Sequence, residues 1–221
     1  MKKYKVVIFD WDGTLMNTIS QIVTCMHQSA EMTDGLTSLS VNAYKQTIGL
    51  SLEVTVNSLY PNATDVQHTL WQQRYSELYV AADNRQDSQL YSGVVETLKL
   101  LQQQRLALAV ATGKRRRGLN RAFQHTQIQD YFAVSRCADE TASKPDPLMI
   151  HEVLAELGLQ PDEALMVGDS VHDMRLANNA GVDVVGITWG VDDRETLNQY
   201  NPLCVIDLIE ELLMVPGLAN K

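Results

Sequence analysis

Two aspartates one residue apart follow a short apolar segment near the start of the chain. The segment VVIF ends at residue 9 and DWDGT follows at residues 10–14, so Asp10 and Asp12 stand where a buried strand would end. A carboxylate can serve as a nucleophile, as a general acid or base, or as a ligand of a hard cation. Gly13 frees the backbone to bend, so that both side chains can face one ligand. The spacing therefore predicts a catalytic turn after the first strand.

Polar residues also follow later apolar segments. They are Thr112, Gly113 and Lys114 after LALAVA, Lys144 in SKPDP, and Gly168, Asp169, Ser170 and Asp173 in GDSVHD. Because parallel strands end at one edge of a sheet, we expect these residues to lie beside the first aspartates. Each of them alone is typical of a turn or a helix cap, but their consistent order along the chain favours a shared site.

A cluster of four carboxylates needs a compensating charge. Two like charges about 4 Å apart repel by about 4 kcal/mol at an effective dielectric constant of about 20. Carboxylate and carbonyl oxygens are the ligands that Mg²⁺ prefers, and the net charge of the chain is −9. The sequence therefore predicts a Mg²⁺ site that would hold Asp10, Asp12, Asp169 and Asp173 together.

Donors for the oxygens of a phosphoryl group are predicted at the same edge. Thr112 offers a hydroxyl, Gly113 a closely approaching backbone N–H, and Lys144 an ammonium group. A cation, these donors and a carboxylate nucleophile are the parts that phosphoryl transfer requires.

The order of helical and strand patterns predicts how these residues are positioned. Residues 16–87 show helical periodicity, whereas strands and helices alternate from residue 88 onward. The fold class is therefore α/β, a Rossmann-like parallel sheet with a helical cap inserted after the first strand. We assign residues 1–15 and 88–221 to the core and residues 16–87 to the cap. YFAVS at residues 131–135 predicts the third strand, and residues 208–214 predict a last α-helix.

Composition limits the partners and the location. The chain has 221 residues, of which 45% are hydrophobic, and its acidity argues against binding to nucleic acid or to an anionic membrane. Three widely spaced cysteines without a C-x-x-C pattern predict reduced thiols and a cytoplasmic location. We expect a monomer or a weak homodimer.

The four motifs resemble those of the haloacid dehalogenase superfamily, and their order and spacing match its Mg²⁺-dependent phosphatases. VATGK, ADETASKPDP and ANNAGVDVVGITWG are most similar to its phosphoglycolate phosphatase-like group. The helical insertion resembles the mobile cap of that superfamily. Family members usually carry an Asp-Ser pair where this chain has Asn17 and Thr18, and we expect this pair to cap the first cap helix with little effect on chemistry.

The resemblance implies a mechanism. Asp10 would attack phosphorus and form an aspartyl-phosphate, while Asp12 would protonate the leaving alkoxide and then deprotonate the hydrolytic water. Asp10, the backbone carbonyl of Asp12 and Asp169 would hold Mg²⁺.

The same resemblance implies supporting roles for other motif residues. Asp173 would lie beside the metal and hold a water or Lys144. Thr112, Gly113 and Lys144 would bind the phosphoryl oxygens.

Substrate choice is assigned less directly. The segment TIGLSLE at residues 47–53 stands where related caps reach the active site, which makes Ile48, Gly49 and Leu50 candidate specificity residues. Trp11 is predicted either to contact the cap or to pack in the core. The basic segment at residues 114–121 is predicted either to attract an anionic substrate or, apart from Lys114, to be a solvated helix start.

Several functions remain open from the sequence. A phosphatase for a small phosphorylated metabolite leads, with phosphoglycolate, another short acid, a sugar phosphate or a nucleotide as substrate. A sugar phosphomutase would use the same residues, whereas haloacid dehalogenation would not need the metal set. A non-enzymatic phospho-receiver would not need a cap. No G-x-G-x-x-G follows a strand, and ATGKRRRG lacks the upstream glycine of a P-loop.

Overall fold

The computed structural model describes residues 4–85 and 88–218, in which a parallel sheet carries helices on both faces. The strands are β1 (Val6–Phe9), β2 (Ala107–Thr112), β3 (Val134–Cys137), β4 (Ala164–Gly168), β5 (Asp183–Ile187) and β6 (Cys204–Ile206). The helices are α1 (Ile19–Glu31), α2 (Val41–Lys45), α3 (Leu52–Leu59), α4 (Asp65–Arg85), α5 (Val94–Gln103), α6 (Arg116–Thr126), α7 (Leu148–Leu157), α8 (Val171–Ala180) and α9 (Arg194–Asn198). Within these residues, no helix is long and apolar enough to cross a membrane.

The strand order, β3-β2-β1-β4-β5-β6, places β1 between β2 and β4. Phe9 at the end of β1 is in register with Val110 of β2 and with Val167 of β4. The chain winds in opposite directions from β1, so β1 lies at the topological switch point of the sheet, where parallel α/β folds bind ligands. The predicted fold class is confirmed.

Apolar residues fill both sides of the sheet, which explains why the central strands are continuously apolar. Side chains alternate along an extended strand. Val7 and Phe9 therefore join the core beneath α5 and α6, whereas Val6 and Ile8 join the core beneath α7 and α8. All four are fully buried, as expected for a parallel sheet that helices cover on both faces.

Helices α1 to α4 lie between β1 and α5 in the sequence and share a third apolar cluster, built around Tyr44 and Trp71. Two backbone hydrogen bonds join the segments that enter and leave these helices, from Tyr91 N to Leu15 O at 3.0 Å and from Asn17 N to Gln89 O at 2.8 Å. The predicted end of the insertion, Asp87, lies outside the described residues. The division into a core and a cap at residues 16–87 stays a prediction.

Two predicted elements differ from the structure. The third strand begins at Val134 rather than within residues 131–133, because Tyr131 ends a short 3₁₀ turn and Phe132 packs against the core. Residues Ile209–Met214 form a 3₁₀ segment rather than an α-helix. Pro216 follows closely and cannot continue a helix, which limits the length of this segment.

Two leucines of α5 provide a matched test of the core. Leu98 is fully buried in the cluster under α5, whereas Leu100 is 41% exposed. We expect Leu98→Ala to lower the free energy of unfolding by about 2–5 kcal/mol, because it leaves a cavity. Leu100→Ala should change it by less than about 0.5 kcal/mol. Urea unfolding followed by circular dichroism measures both, and equal losses would contradict this packing.

Candidate active site

The polar ends of three neighbouring strands form the site. Asp10 follows β1 directly, and its backbone N–H donates to Val167 O at 3.0 Å, which continues the pairing with β4. Thr112 is the last residue of β2 and Gly168 the last residue of β4. Parallel pairing with β1 in the middle therefore brings the predicted motifs to one edge of the sheet.

A tight turn carries the chain out of β1. The backbone N–H groups of Leu15 and Met16 both donate to Trp11 O at 3.0 Å, and Gly13 N donates to Met16 O at 2.9 Å. Gly13 has φ of 88°, and a Cβ built there would lie 2.4 Å from Asp169 Oδ2. The turn therefore needs glycine both for its backbone angle and for the close approach of a carboxylate.

Three buried carboxylates lie close together at this edge of the sheet. Asp10, Asp169 and Asp173 each offer an oxygen, and these oxygens lie within 4.8 Å of one another. All three residues are at most 1% exposed. Hard, buried oxygen donors at this spacing fit a divalent cation such as Mg²⁺. The expected convergence of Asp10 with Asp169, from opposite ends of the chain, is thus present.

Lys144 neutralises part of this cluster. Its Nζ donates to Asp10 Oδ1 at 2.6 Å and to Asp173 Oδ1 at 2.7 Å, and the side chain is fully buried. Burial alone would lower the pKa of Lys144, but the two carboxylates outweigh it and raise that pKa above its ordinary value. The ammonium group therefore stays charged.

Burial and the remaining negative charge raise the pKa values of two of the aspartates. Burial raises the pKa of Asp10 to about 7, although Lys144 opposes the rise, and Asp173 adds to it. Burial, followed by repulsion from Asp173 and Asp10, raises the pKa of Asp169 well above its usual range. Both carboxylates are therefore costly to ionise unless a cation joins them.

Hydrogen bonds fix the orientation of Asp173. Its Oδ2 accepts from Ser170 Oγ at 2.7 Å and from the backbone N–H groups of Ser170 and Asp169 at 3.1 and 3.2 Å. Ser170 in turn caps α8 by accepting from Asp173 N. The start of α8 thus leaves Asp173 Oδ1 directed at Lys144.

Asp169 is held in a similar way. Its Oδ1 accepts from Thr14 Oγ1 at 2.7 Å, and its Oδ2 accepts from Val191 N at 2.8 Å. Thr14 belongs to the DWDGT motif, so its proximity could have been anticipated. Val191 contributes only a backbone group, which no residue type in the sequence reveals.

Asp12 lies apart from the carboxylate cluster and has its own partners. Its Oδ1 accepts from Thr18 Oγ1 at 2.8 Å and from Lys114 Nζ at 2.9 Å. Of the pair expected to cap the first helix, Thr18 stands at the N-cap position of α1, but its side chain makes no cap hydrogen bond. The Thr18 hydroxyl donates to the buried carboxylate, and its oxygen accepts no N–H of the first turn of α1.

Lys114 connects the sheet edge to the inserted helices. Its Nζ donates to Tyr79 OH of α4 at 3.1 Å and lies 4.6 Å from the centre of the Tyr79 ring. Other residues of the basic segment also reach α4, with Arg115 bonded to Gln72 at 3.0 Å. Neither of the two interpretations of the basic segment anticipated these contacts between α6 and the insertion.

The segment at residues 47–53 lies directly over the end of β2. A Cβ built on Gly113 would meet Gly49 O at 2.3 Å and Leu50 O at 2.6 Å. Ser51 N donates to Ser143 Oγ at 2.8 Å on the neighbouring loop. Ile48, Gly49 and Leu50 therefore reach the site edge with Thr112 and Gly113, and their role in specificity stays a prediction.

Trp11 points away from this region. It is fully buried in the main core, and its ring centre lies 5.2 Å from that of Phe123 in an edge-on arrangement. Of the two predictions for Trp11, contact with the cap or packing in the core, the second describes its position.

Two glycines with positive φ provide a test of the turn after β1. Gly13→Ala forces a methyl group against Asp169, whereas Gly158 (φ 66°) has nothing within 4 Å of an added Cβ. Gly158→Ala should lower the free energy of unfolding by about 1–2 kcal/mol, the cost of a left-handed residue with a side chain. We expect Gly13→Ala to lose more and also to weaken Mg²⁺ binding. Denaturation and calorimetric titration measure these effects, and unchanged Mg²⁺ affinity in Gly13→Ala would contradict the close approach.

Known proteins are similar to this chain in sequence and in fold. A family model for haloacid dehalogenase-like hydrolases matches residues 7–187. A phosphoglycolate phosphatase of Vibrio vulnificus (strain YJ016) is 31% identical over 224 residues, covering 97% of this chain and 96% of that protein. The pyrophosphatase PpaX of Bacillus pumilus (strain SAFR-032) is 30% identical over 216 residues, covering 96% and 95%.

A solved structure is also similar to this chain. The crystal structure of a predicted phosphoglycolate phosphatase from Haemophilus somnus 129PT superposes with a TM-score of 0.87 at 25% identity, covering 97% of this chain and 99% of that one. The family model spans most of the chain, and its range contains Asp10, Lys144 and Asp169. The chain belongs to the haloacid dehalogenase-like hydrolase family.

Proposed function

We propose that this hydrolase is a Mg²⁺-dependent phosphatase that cleaves phosphate monoesters through an aspartyl-phosphate on Asp10. One observation carries the proposal. A strand-end aspartate shares a buried cluster with two further carboxylates and a lysine, whose Nζ lies 2.6 Å from Asp10 Oδ1. The relatives named as phosphatases, at about 30% identity over nearly the whole chain, support the same reaction class.

In the first step, a carboxylate oxygen of Asp10 attacks phosphorus. A bond forms between that oxygen and phosphorus while the bond from phosphorus to the leaving oxygen breaks. Lys144 keeps Asp10 in place throughout, since its ammonium group bridges Asp10 and Asp173. The rigid edge of the sheet thus holds the nucleophile where a bound phosphoryl group would meet it.

Asp12 is proposed to handle the protons. Among the described residues, the hydrogen bonds to its carboxylate reach Oδ1, from Thr18 and Lys114, so Oδ2 is the oxygen that can exchange a proton. Asp12 protonates the leaving oxygen in the first step. In the second, it takes a proton from the water that attacks phosphorus and releases Asp10.

The phosphoryl oxygens need donors at the same edge. Thr112 Oγ1 already accepts from Lys114 N at 3.2 Å, so its own proton is available to a ligand. We propose that Thr112, the Gly113 backbone and Lys144 bind the phosphoryl group. A Mg²⁺ ion bound by Asp10, Asp169 and the Asp12 carbonyl would supply the positive field that offsets repulsion between carboxylate and phosphate.

The inserted helices are proposed to form a cap at residues 16–87 that covers this edge. Their contacts with the sheet edge support this role, because Gly49, Ser51 and Tyr79 all meet residues of the site loops. A cytoplasmic location is proposed from the cysteine pattern alone.

Removal of the nucleophile tests the function. We expect Asp10→Asn to lower Mg²⁺-dependent phosphate release from an aryl phosphate on the order of 10⁴-fold or more, because the covalent step is lost. Asp130→Asn is the control, since Asp130 is an exposed aspartate in the short 3₁₀ turn after α6. Colorimetric phosphate assays measure both variants. Normal turnover in Asp10→Asn would refute the proposed nucleophile.

The raised pKa of Asp10 predicts how pH affects metal-free protein. Between its usual value of 3.8 and the folded value of about 7, the folded state holds a proton that the unfolded state has released. This group therefore makes the metal-free protein less stable as pH rises through that window. Melting temperatures in EDTA should fall more steeply with pH for the wild type than for Asp10→Asn.

Mg²⁺ should reverse this trend, because the metal needs ionised carboxylates. We expect Mg²⁺ to raise the melting temperature more at pH 8 than at pH 5.5. Thermal unfolding with and without the ion measures the difference, and an equal shift at both pH values would argue against binding by this cluster.

A further inference from the structure

We propose, resting on the phosphatase function above, that the substrate is the phosphate ester of a bulky and mostly apolar alcohol. The observation behind it is a cavity of about 590 Å³ that begins at Asp10 and Asp12 and extends between the sheet edge and the inserted helices. Pockets that hold ligands of many atoms have volumes of about 300–1,000 Å³. A short phosphorylated acid would leave most of this space filled by water.

The wall opposite the aspartates is apolar. Side chains from α1, from the connection before α3, and from α3 and α4 contribute to it, namely Ile22, Met26, Ile48, Leu50, Leu52 and Val80. Apolar surface that a ligand covers contributes about 25 cal/mol per Å² to binding. The leaving group that these residues would bind best is therefore a hydrocarbon chain or ring.

The two threonine hydroxyls of that wall already donate to backbone carbonyls. Thr47 Oγ1 donates to Tyr44 O at 2.8 Å, and Thr55 Oγ1 donates to Thr47 O at 3.4 Å. Tyr79 OH accepts from Lys114, which leaves its own proton as a donor for a ligand. A leaving group rich in hydroxyls, such as a sugar, would lose water here and gain few hydrogen bonds in exchange.

The cations that line the cavity do not favour a short carboxylate either. Lys114 is paired with Asp12 at 2.9 Å, and Arg121 is paired with Asp83 at 3.2 Å. Arg115 and Arg117 are exposed. Among the described lining residues, no buried cation lacks an acidic partner, so the carboxylate of phosphoglycolate would be desolvated without compensation.

The cavity is not simply a gap left by an open cap. Three contacts already join the inserted helices to the sheet edge, from Ser51 N to Ser143 Oγ at 2.8 Å, from His172 Nε2 to Gln46 O at 2.8 Å, and from Lys114 Nζ to Tyr79 OH at 3.1 Å. The volume persists with these contacts made. Its exposed lining residues all belong to α4 and the start of α6, namely Glu77, Ala81, Asn84, Arg115 and Arg117, so a long substrate would enter between these helices.

A series of alkyl phosphates tests the proposal on the wild-type enzyme with Mg²⁺. Ethyl, butyl and hexyl phosphate have closely similar leaving groups and differ chiefly in apolar length. Each buried methylene should raise kcat/KM about fourfold, so hexyl phosphate should exceed ethyl phosphate on the order of a hundredfold. Phosphoglycolate, assayed beside them, should be turned over less efficiently than hexyl phosphate.

A matched pair of variants locates the effect in the cavity. Val80 lines the cavity from α4, whereas Val66 of the same helix is 67% exposed. Val80→Trp should cut the ratio of kcat/KM for hexyl over ethyl phosphate by about tenfold or more, because the indole fills the space that the chain would occupy. Val66→Trp should leave that ratio unchanged.

The outcomes separate this proposal from the one on which it depends. Phosphate release from these esters with kcat/KM that is flat or falls with chain length, or that is highest for phosphoglycolate, would overturn the apolar leaving group and leave the phosphatase standing. An unchanged ratio in Val80→Trp would also overturn it, because the chain would then bind elsewhere. No Mg²⁺-dependent release from any ester, with an aryl phosphate included, would overturn the phosphatase itself.

Discussion

Repulsion among buried carboxylates is the constraint on which this site depends. Asp10, Asp169 and Asp173 lie close together at the sheet edge, and among the residues that the structure describes Lys144 is the cation bonded to two of them. Removing one partner of such a buried pair typically costs about 3–5 kcal/mol, because the other charge is then left without compensation. Glycines around the cluster serve this arrangement, since a Cβ at Gly13 or Gly190 would meet Asp169 and one at Gly168 would meet Asp173.

Much of this arrangement could be predicted from the sequence because it follows from the sheet. Continuous apolar segments indicate parallel strands, and parallel strands bring their C-terminal residues to one edge whatever the intervening loops do. Asp10, Asp169 and Lys144 were expected together on that ground, and the structure places them in contact or within a few ångströms. The strand boundaries near Tyr131 were less predictable, because aromatic residues suit a strand and a packed turn equally well.

What could not be predicted is which partner an individual polar side chain takes. The hydroxyl of Thr18 has the residue type and position of a helix cap, yet it donates to Asp12. Lys114 was expected at the end of β2, but its contact with Tyr79 of α4 was not, and its side chain is nearly buried between Asp12 and Tyr79. Asp12 is the acceptor in both cases, six residues before Thr18 along the chain and across the sheet edge from Lys114.

The carboxylate cluster and the surroundings of Asp12 come from different parts of the chain. The cluster belongs to the sheet edge, whereas Lys114 beside Asp12 also contacts Tyr79 of the inserted helices. Asp10 and Asp169 follow β1 and β4 directly and Asp173 lies in the first turn of α8, so a chimaera carrying the insertion of another relative would inherit the cluster intact. The lysine beside Asp12 would instead lose a phenol that only α4 supplies. If Asp12 moves the protons as proposed, exchange of insertions among such proteins would change the surroundings of the proton-transfer residue along with the cavity wall.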